Sequence, residues 1–257
     1  MGILRSFIAG NRRLSHTVAD WWPHQRDRLD ARYCEAAARA VHRRRGQFVV
    51  DVGGGRTLKY ARLLEPGEAH VVAVDISAEE LALNTEVAET RVADVTQSLP
   101  FADGEVDVLT SSSVLEHLEH LGGFLDEAAR VLKPDGLMVH IFPGRYAPFA
   151  VANRVLPERM KRWILFRVEP GTEGVCGFRA YYDHCYYSAM VRECRRHGFE
   201  VTSARVGYYG TSYYLTALFP AFLLSLLWEV GAWACHARNF GALVVIEARR
   251  VTAQSAA

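Results

Sequence analysis

The chain has 257 residues, half of them hydrophobic and 23% charged, so it can bury a sizeable core and global disorder is excluded. A formal net charge of +1 lacks the basic excess of a nucleic-acid binder. The five cysteines (Cys34, Cys176, Cys185, Cys194, Cys235) are scattered, odd in number and without a C-x-x-C pair, which points to reduced thiols in a cytoplasmic protein rather than a zinc site.

Residues 1–45 read as basic and helical. MGILRSFIAGNRRLS is broken by arginines before an apolar run develops, so no secretory signal is expected. Asp20 is placed to cap a turn before Trp21 and Trp22, with Pro23 as punctuation. From Asp27 to Arg45, Leu29, Tyr33, Ala36, Ala37, Ala40 and Val41 recur at helical spacing. Such a helix can pack on the core, cap the mouth of a nucleotide site, or do both.

From Phe48 onward strands and helices alternate. FVVDVGGGRT (48–57) is an apolar strand ending in a glycine turn, where positive φ or close approach of a ligand to the main chain requires glycine. LKYARLL (58–64) is expected to be a helix with Leu58, Ala61, Leu63 and Leu64 toward the sheet. HVVAVDI (70–76) is the second strand, and SAEELALNTEV (77–87) a helix with Ser77 and Glu80 as a capping box. TRVADV (90–95) is a short third strand. A turn at Asp103-Gly104 precedes the fourth, which ends near Ser111 and Ser112. VLEHLEHLGGFLDEAARVL (114–132) reads as a helix interrupted near Gly122-Gly123, KPDG (133–136) as a turn, and LMVHIF (137–142) as the fifth strand.

Two less regular stretches follow. Residues 144–185 hold Arg145, Tyr146 and the polar-aromatic cluster GFRAYYDHC. A helix (187–199), strand six (200–206) and strand seven (241–250) flank a second insertion at 207–240. Its apolar run 213–235 reaches the length of about 20 residues that spans a bilayer, but Pro220, Glu229 and the return to a core strand favour a buried or interfacial helix. The expected architecture is one α/β domain over 1–257: a Rossmann-like, doubly wound core at 46–143, a helical cap at 1–45, and acceptor-binding insertions at 144–185 and 207–240.

Three aspartates end successive strands behind the glycine turn. Asp51 precedes Gly53, Gly54 and Gly55. Asp75 lies about 20 residues on, where a carboxylate can accept from both ribose hydroxyls of a nucleoside. Asp94 ends the third strand, within reach of an adenine amino group. The third glycine of a dinucleotide fingerprint is replaced by Leu58, and no Gly-Lys-Ser/Thr is present to hold a triphosphate. A nucleoside ligand without phosphates fits these residues best.

These motifs resemble the class I S-adenosylmethionine-dependent methyltransferases, particularly the small-molecule type 11 branch. DVGGG resembles the first motif, VVAVDIS the second, VADVTQSLPFADGEVDVLTSSSVLEHL the third and fourth, and EAARVLKPDGLMVHIFP the fifth. Thr57 departs from the pattern, standing where many members have a further glycine. The resemblance implies a seven-stranded mixed sheet with strand seven antiparallel and S-adenosylmethionine as cofactor, with S-adenosylhomocysteine as product. It implies that Asp51 and the Gly53–Gly55 backbone hold the methionine end, Asp75 the ribose, Ile76 the adenine face, and Asp94 and Val95 the adenine edge. Ser111 would lie, just past strand four, where backbone groups meet the cofactor amine.

His117 is the candidate base for removing the acceptor proton, with Tyr182, Asp183 and His184, beside Tyr181, as a second constellation. The expected acceptor is a small molecule, with O-methylation of a hydroxyl on a sugar, glycolipid, oligosaccharide or polyketide-like metabolite favoured by the aromatic insertion. The alternatives are C-methylation of a quinone or other lipid-like ring, and a non-catalytic nucleoside-binding module. No divalent metal is expected, because no ligand cluster is legible, although some sugar methyltransferases use one. No nucleic-acid partner is expected, and contact with a membrane surface through 213–235 stays open.

Overall fold

A computed structural model describes residues 2–21, 29–43, 46–157, 159–161, 166, 179–210 and 215–251. Seven strands form one sheet: β1 Gln47–Val52, β2 Ala69–Asp75, β3 Glu89–Val92, β4 Val106–Ser112, β5 Leu132–Pro143, β6 Phe199–Gly207 and β7 Leu243–Arg250. Their spatial order is β3-β2-β1-β4-β5-β7-β6. The first five run parallel, and β7 is antiparallel to both β5 and β6. The strand order reverses between β1 and β4, and in an open α/β sheet the ligand crevice lies beyond the carboxyl ends of the strands at that switch point.

Valine-rich central strands suit a sheet covered on both faces. On one face, α2 (Leu29–His42) sets Leu29, Tyr33, Ala36, Ala37, Ala40 and Val41 against Val49, Val108, Val139 and Val245. On the other, α4 (Leu121–Val131) and α6 (Tyr187–Arg196) set Phe124, Leu125, Ala128, Met190 and Cys194 into the core with Val50, Leu109, Met138 and Phe142. The helix expected as a cap is therefore a full core layer. The remaining helices are α1 (Gly2–Asp20), one-turn α3 (Ala78–Leu81), α5 (Pro148–Val155) and α7 (Phe219–Ala234). The described cysteines, Cys34, Cys185, Cys194 and Cys235, are free thiols; Cys176 lies outside the described residues.

Several expected boundaries move. Asp20 ends α1 instead of opening a turn, and Trp22 and Pro23 lie outside the described residues. The helix expected over 58–64 is reduced to a 3-10 turn at Ala61–Leu63, and Leu63 is exposed. The helix expected over 77–87 stops at Leu81. Gly122 and Gly123 lie inside α4; the interruption falls before it, between the 3-10 turn Leu115–His117 and Leu121. KPDG, expected as a turn before the fifth strand, lies inside β5 as a register irregularity between Leu132 and Leu137, with Asp135 at φ +61°. Much of the 144–185 insertion lies outside the described residues.

Candidate functional site

β1 delivers Asp51 to the switch point, and the chain turns at once through Gly53 (φ +66°), Gly54 and Gly55 (φ +39°). The amides of Gly53 and Gly54 donate to the carbonyl of Val74, at 2.7 and 3.2 Å. A Cβ on Gly53 would lie 2.2 Å from Val114 Cγ2, and one on Gly54 would lie 2.7 Å from the Ala73 Cβ and 3.2 Å from Asp51 Oδ2. The turn is thus packed between β2 and the segment after β4, at distances only glycine allows. Asn84 braces it, donating through Nδ2 to the carbonyls of Gly54 and Gly55 at 3.3 and 3.0 Å.

Asp75 ties β2 to that turn. Its Oδ2 accepts from the Gly55 amide at 3.1 Å and its Oδ1 from the Ser77 amide at 3.0 Å. Each oxygen keeps a lone pair, so the carboxylate can still accept from two hydroxyls. Ile76, next in sequence, exposes about half of its side chain. Only half of the expected capping box forms. Ser77 Oγ accepts from the Glu80 amide at 3.2 Å, but the Ser77 amide is held by Asp75 and the Glu80 carboxylate pairs with Arg56 instead.

Asp51 is buried. Thr110 Oγ1 donates to its Oδ1 at 2.6 Å, and the Tyr60 hydroxyl lies 3.0 Å from the same Oγ1. Threonine has one hydroxyl hydrogen, and it goes to the carboxylate, so Tyr60 donates to Thr110. Burial pushes the Asp51 carboxyl up to about 7, against the lowering effects of the Thr110 hydrogen bond and the Lys59 charge. Sequence reasoning missed Thr110 and Tyr60. The available signal was a threonine following the apolar Val108-Leu109 pair, two residues short of the strand's end.

Asp94 closes its own turn. Its Oδ1 accepts from the Thr96 amide at 3.0 Å and the Thr96 hydroxyl at 2.6 Å, and its Oδ2 from Gln97 Nε2 at 3.2 Å. The Thr96 contacts hold this carboxyl below the usual carboxylate range, and lone-pair capacity for a ligand is left at Oδ2. Val95 is half-buried and packs against the core.

Ser111 is not past the end of strand four but inside β4, fully buried, with its hydroxyl 2.7 Å from His140 Nδ1. Burial pushes His140 down to about 3, so this imidazole is neutral. The strand runs one residue further, so the polar groups at its mouth are Ser112, whose buried hydroxyl has no partner among the described residues, and Ser113, at φ +57°.

The segment after β4 carries His117. Its Nδ1 lies 3.1 Å from the carbonyl of Arg179; a carbonyl only accepts, so Nδ1 carries the proton and Nε2 is the acceptor nitrogen. Nε2 lies 3.8 Å from Glu116 Oε1. Glu116, which sequence reasoning passed over, is buried, its Oε2 has no hydrogen-bond partner among the described residues, and burial pushes it up to about 8. The Glu116 carbonyl accepts from the amides of Tyr181 and Tyr182, at 2.8 and 2.9 Å, and so draws the second candidate cluster against the end of β4. Within that cluster Tyr182 (φ +55°) packs into the core. Asp183 Oδ2 accepts from the Leu121 amide at 3.2 Å, at the start of α4, and its Oδ1 lies 2.9 Å from His184 Nδ1. Among the described residues no three His, Cys, Asp or Glu side chains gather as a metal site.

Residues 50–140 match the model of a family described as a methyltransferase domain. Those residues carry the sequence pattern of a methyltransferase domain. Over 105 residues the chain is 36% identical to an uncharacterized methyltransferase of Mycobacterium sp. strain KMS, covering 40% of this chain and 42% of that protein. It is 32% identical over 115 residues to the demethylmenaquinone methyltransferase of Tropheryma whipplei strain Twist, covering 43% and 47%. The chain thus spans less than half the length of these relatives. At the level of fold the likeness is wider. The geranyl diphosphate C-methyltransferase of Streptomyces coelicolor A3(2), solved with Mg2+, geranyl diphosphate and S-adenosyl-L-homocysteine, superposes with a TM-score of 0.53 at 18% identity over 87% of this chain and 81% of that one. The match takes in the glycine turn and the parallel strands β2 to β4 with most of β1 and β5, and leaves β6, β7 and both insertions outside it.

Proposed function

We propose that the protein binds S-adenosylmethionine at the switch point and transfers its methyl group to an amphipathic small molecule. The observation that carries this is the junction of Asp75 with the glycine turn: one carboxylate braces Gly55 and Ser77, keeps a lone pair on each oxygen for ribose hydroxyls, and stands beside the exposed face of Ile76. The fit extends to Asp51, a buried acid poised near neutrality that a ligand ammonium group would ionise. The cofactor supplies an already electrophilic methyl group on a sulfonium. The chain has to position the acceptor in line and take up its proton. His117 suits the second task, with Nε2 as its acceptor nitrogen, and the neighbouring Glu116 carboxyl would stabilise the imidazolium that results.

The acceptor side is lined by aromatic rings. Tyr186, Tyr146, Phe240 and Trp228 form a strip with successive centroid separations of 5.4, 5.4 and 5.6 Å, joining both insertions. Such a strip suits stacking on a sugar or another ring, in keeping with O-methylation of a sugar, glycolipid or polyketide-like hydroxyl. C-methylation of a quinone is the second reading, favoured by the matched demethylmenaquinone methyltransferases.

Calorimetry with S-adenosylhomocysteine tests the cofactor assignment. Wild type should bind, and Asp75→Ala should bind about 10–100-fold more weakly through loss of charge-assisted hydrogen bonds. Absence of wild-type binding would sink the methyltransferase reading. The same titration repeated across pH tests Asp51. Below about 7 its carboxyl is protonated in the ligand-free protein, and the proton must leave before the ammonium group can pair with it. Affinity should therefore rise with pH between about 6 and 8, approaching tenfold per unit on the acid side; a flat profile would remove Asp51 from contact with the amine.

A further inference from the structure

The insertion between β6 and β7 is built inside out. Along α7 the residues turned inward are Phe222, Ser225, Glu229 and Ala232, so the helix buries its serine and its only ionisable side chain. Glu229 Oε1 accepts from the Gly210 amide at 3.2 Å. The outward stripe carries Leu224, Leu227 and Trp228, which are 69%, 67% and 47% exposed. A helix resting on a soluble core shows the opposite arrangement.

A second stripe lies alongside. α1 packs against α7 and the turn before it: Ser15 Oγ donates to the Thr216 carbonyl at 3.0 Å, and the Phe219 amide donates to Asn11 Oδ1 at 2.9 Å. α1 exposes Phe7 and Leu14, and Trp21 just past its end continues the seven-residue spacing, at 56%, 55% and 84%. Arg13 on the same helix is exposed, and no acidic residue precedes Asp20 in it. Its partner therefore has to accept apolar side chains and positive charge together.

We propose that α1 and α7 together form a docking face for the surface of an anionic lipid bilayer. Exposed tryptophans beside leucines suit the headgroup boundary. Among the described residues no helix is long and apolar enough to cross a membrane, and a helix that packs one side on the protein while exposing leucines and tryptophan on the other suits the interface plane instead. A second copy of the chain is the weaker occupant, because a two-fold contact through this face would bring two arginine-bearing helices together. The face also stands near the candidate site. β6 runs parallel to β5, since both are antiparallel to β7, so the insertion rises from the sheet edge that carries the glycine turn. An acceptor drawn from the bilayer would meet the Trp228–Phe240–Tyr146 strip on its way to that edge. Lipid binding itself needs no cofactor.

Co-sedimentation of the full chain with vesicles tests the proposal, using pure phosphatidylcholine and a mixture with about one third phosphatidylglycerol. The protein should pellet with the mixed vesicles and be released at high salt. Leu224→Gln with Leu227→Gln should weaken partitioning more than tenfold, given about 25 cal/mol per Å² of apolar surface. Arg13→Gln should weaken it about fivefold, at about 1 kcal/mol per basic residue near the surface. These exposed positions lie outside the cofactor site, so S-adenosylhomocysteine binding and the melting temperature serve as folding controls. Failure of wild type to pellet with the mixed vesicles overturns the proposal, as does equal binding to both vesicle types. So does self-association in sedimentation equilibrium, abolished by the leucine substitutions, without vesicle binding.

Discussion

Gly53→Ala should lower the melting temperature by roughly 5–15 °C and abolish S-adenosylhomocysteine binding. Gly53 sits at φ +66°, where an L residue is strained, and its Cβ would fall 2.2 Å from Val114 Cγ2. The backbone term is of order 1–3 kcal/mol and the overlap adds a similar amount. For a chain of this size each kcal/mol moves the midpoint by about 2–4 °C. The turn cannot relieve the overlap by moving, because the Gly53 and Gly54 amides are both held by the Val74 carbonyl. Adding Val114→Ala removes the overlap and leaves the φ strain. The double variant should therefore melt well above the value expected from adding the two single effects, a coupling of about 1 kcal/mol or more. A wild-type melting temperature for Gly53→Ala would show that the turn has a looser packing than these distances describe.

The sheet was legible because its parallel strands are buried on both faces. FVVDV, HVVAVDI and LMVHIF are nearly continuous apolar runs, and no tertiary competition changes how such runs pair. The helices after β1 and β2 were misjudged for a reason that spacing does not encode. Leu58 donates its amide to Glu86 Oε2 at 2.7 Å, and Asn84 Oδ1 accepts from the Glu86 amide while its Nδ2 holds the glycine turn. The two segments trade side-chain-to-backbone bonds with each other, in place of the helical bonds their apolar spacing favours. Gly122 misled in the opposite direction. It does not break α4 but makes room for His197, whose Nε2 would lie 3.3 Å from an added Cβ. Hydropathy likewise revealed the apolar run of α7 but not its orientation, which depends on Glu229 reaching inward to the amide of Gly210.

In the candidate site Asp51, Asp75 and the glycines were legible because they are fixed by what a strand end and a tight turn must do. Glu116 was not, since an exposed glutamate on a helix would be written with the same letters. Only burial distinguishes it, and burial makes it costly. Glu116→Gln should therefore stabilise the protein at pH 8.5 while leaving it unchanged near pH 5. The sign follows from the shift. A carboxyl raised from 4.5 to about 8 by burial holds its proton in the folded state and loses it in the unfolded one across that interval. Stability consequently falls as pH rises from about 4.5 to 8, and above 8 the full cost is present. Glutamine does not ionise and escapes the loss. A discounted figure of about 2–4 kcal/mol corresponds to a gain of roughly 5–10 °C in melting temperature at pH 8.5. Thermal unfolding of the two proteins at both pH values measures it; equal melting temperatures at pH 8.5 would mean that Glu116 ionises without penalty. S-adenosylhomocysteine affinity should be unchanged, because the carboxyl lies beside His117 and makes no hydrogen bond to the glycine turn. A protein that keeps such an acid at the mouth of its ligand crevice, where a neutral isostere would be more stable, has a use for its proton. On the proposed reading, Glu116 beside the acceptor nitrogen of His117 would control charge at the candidate base.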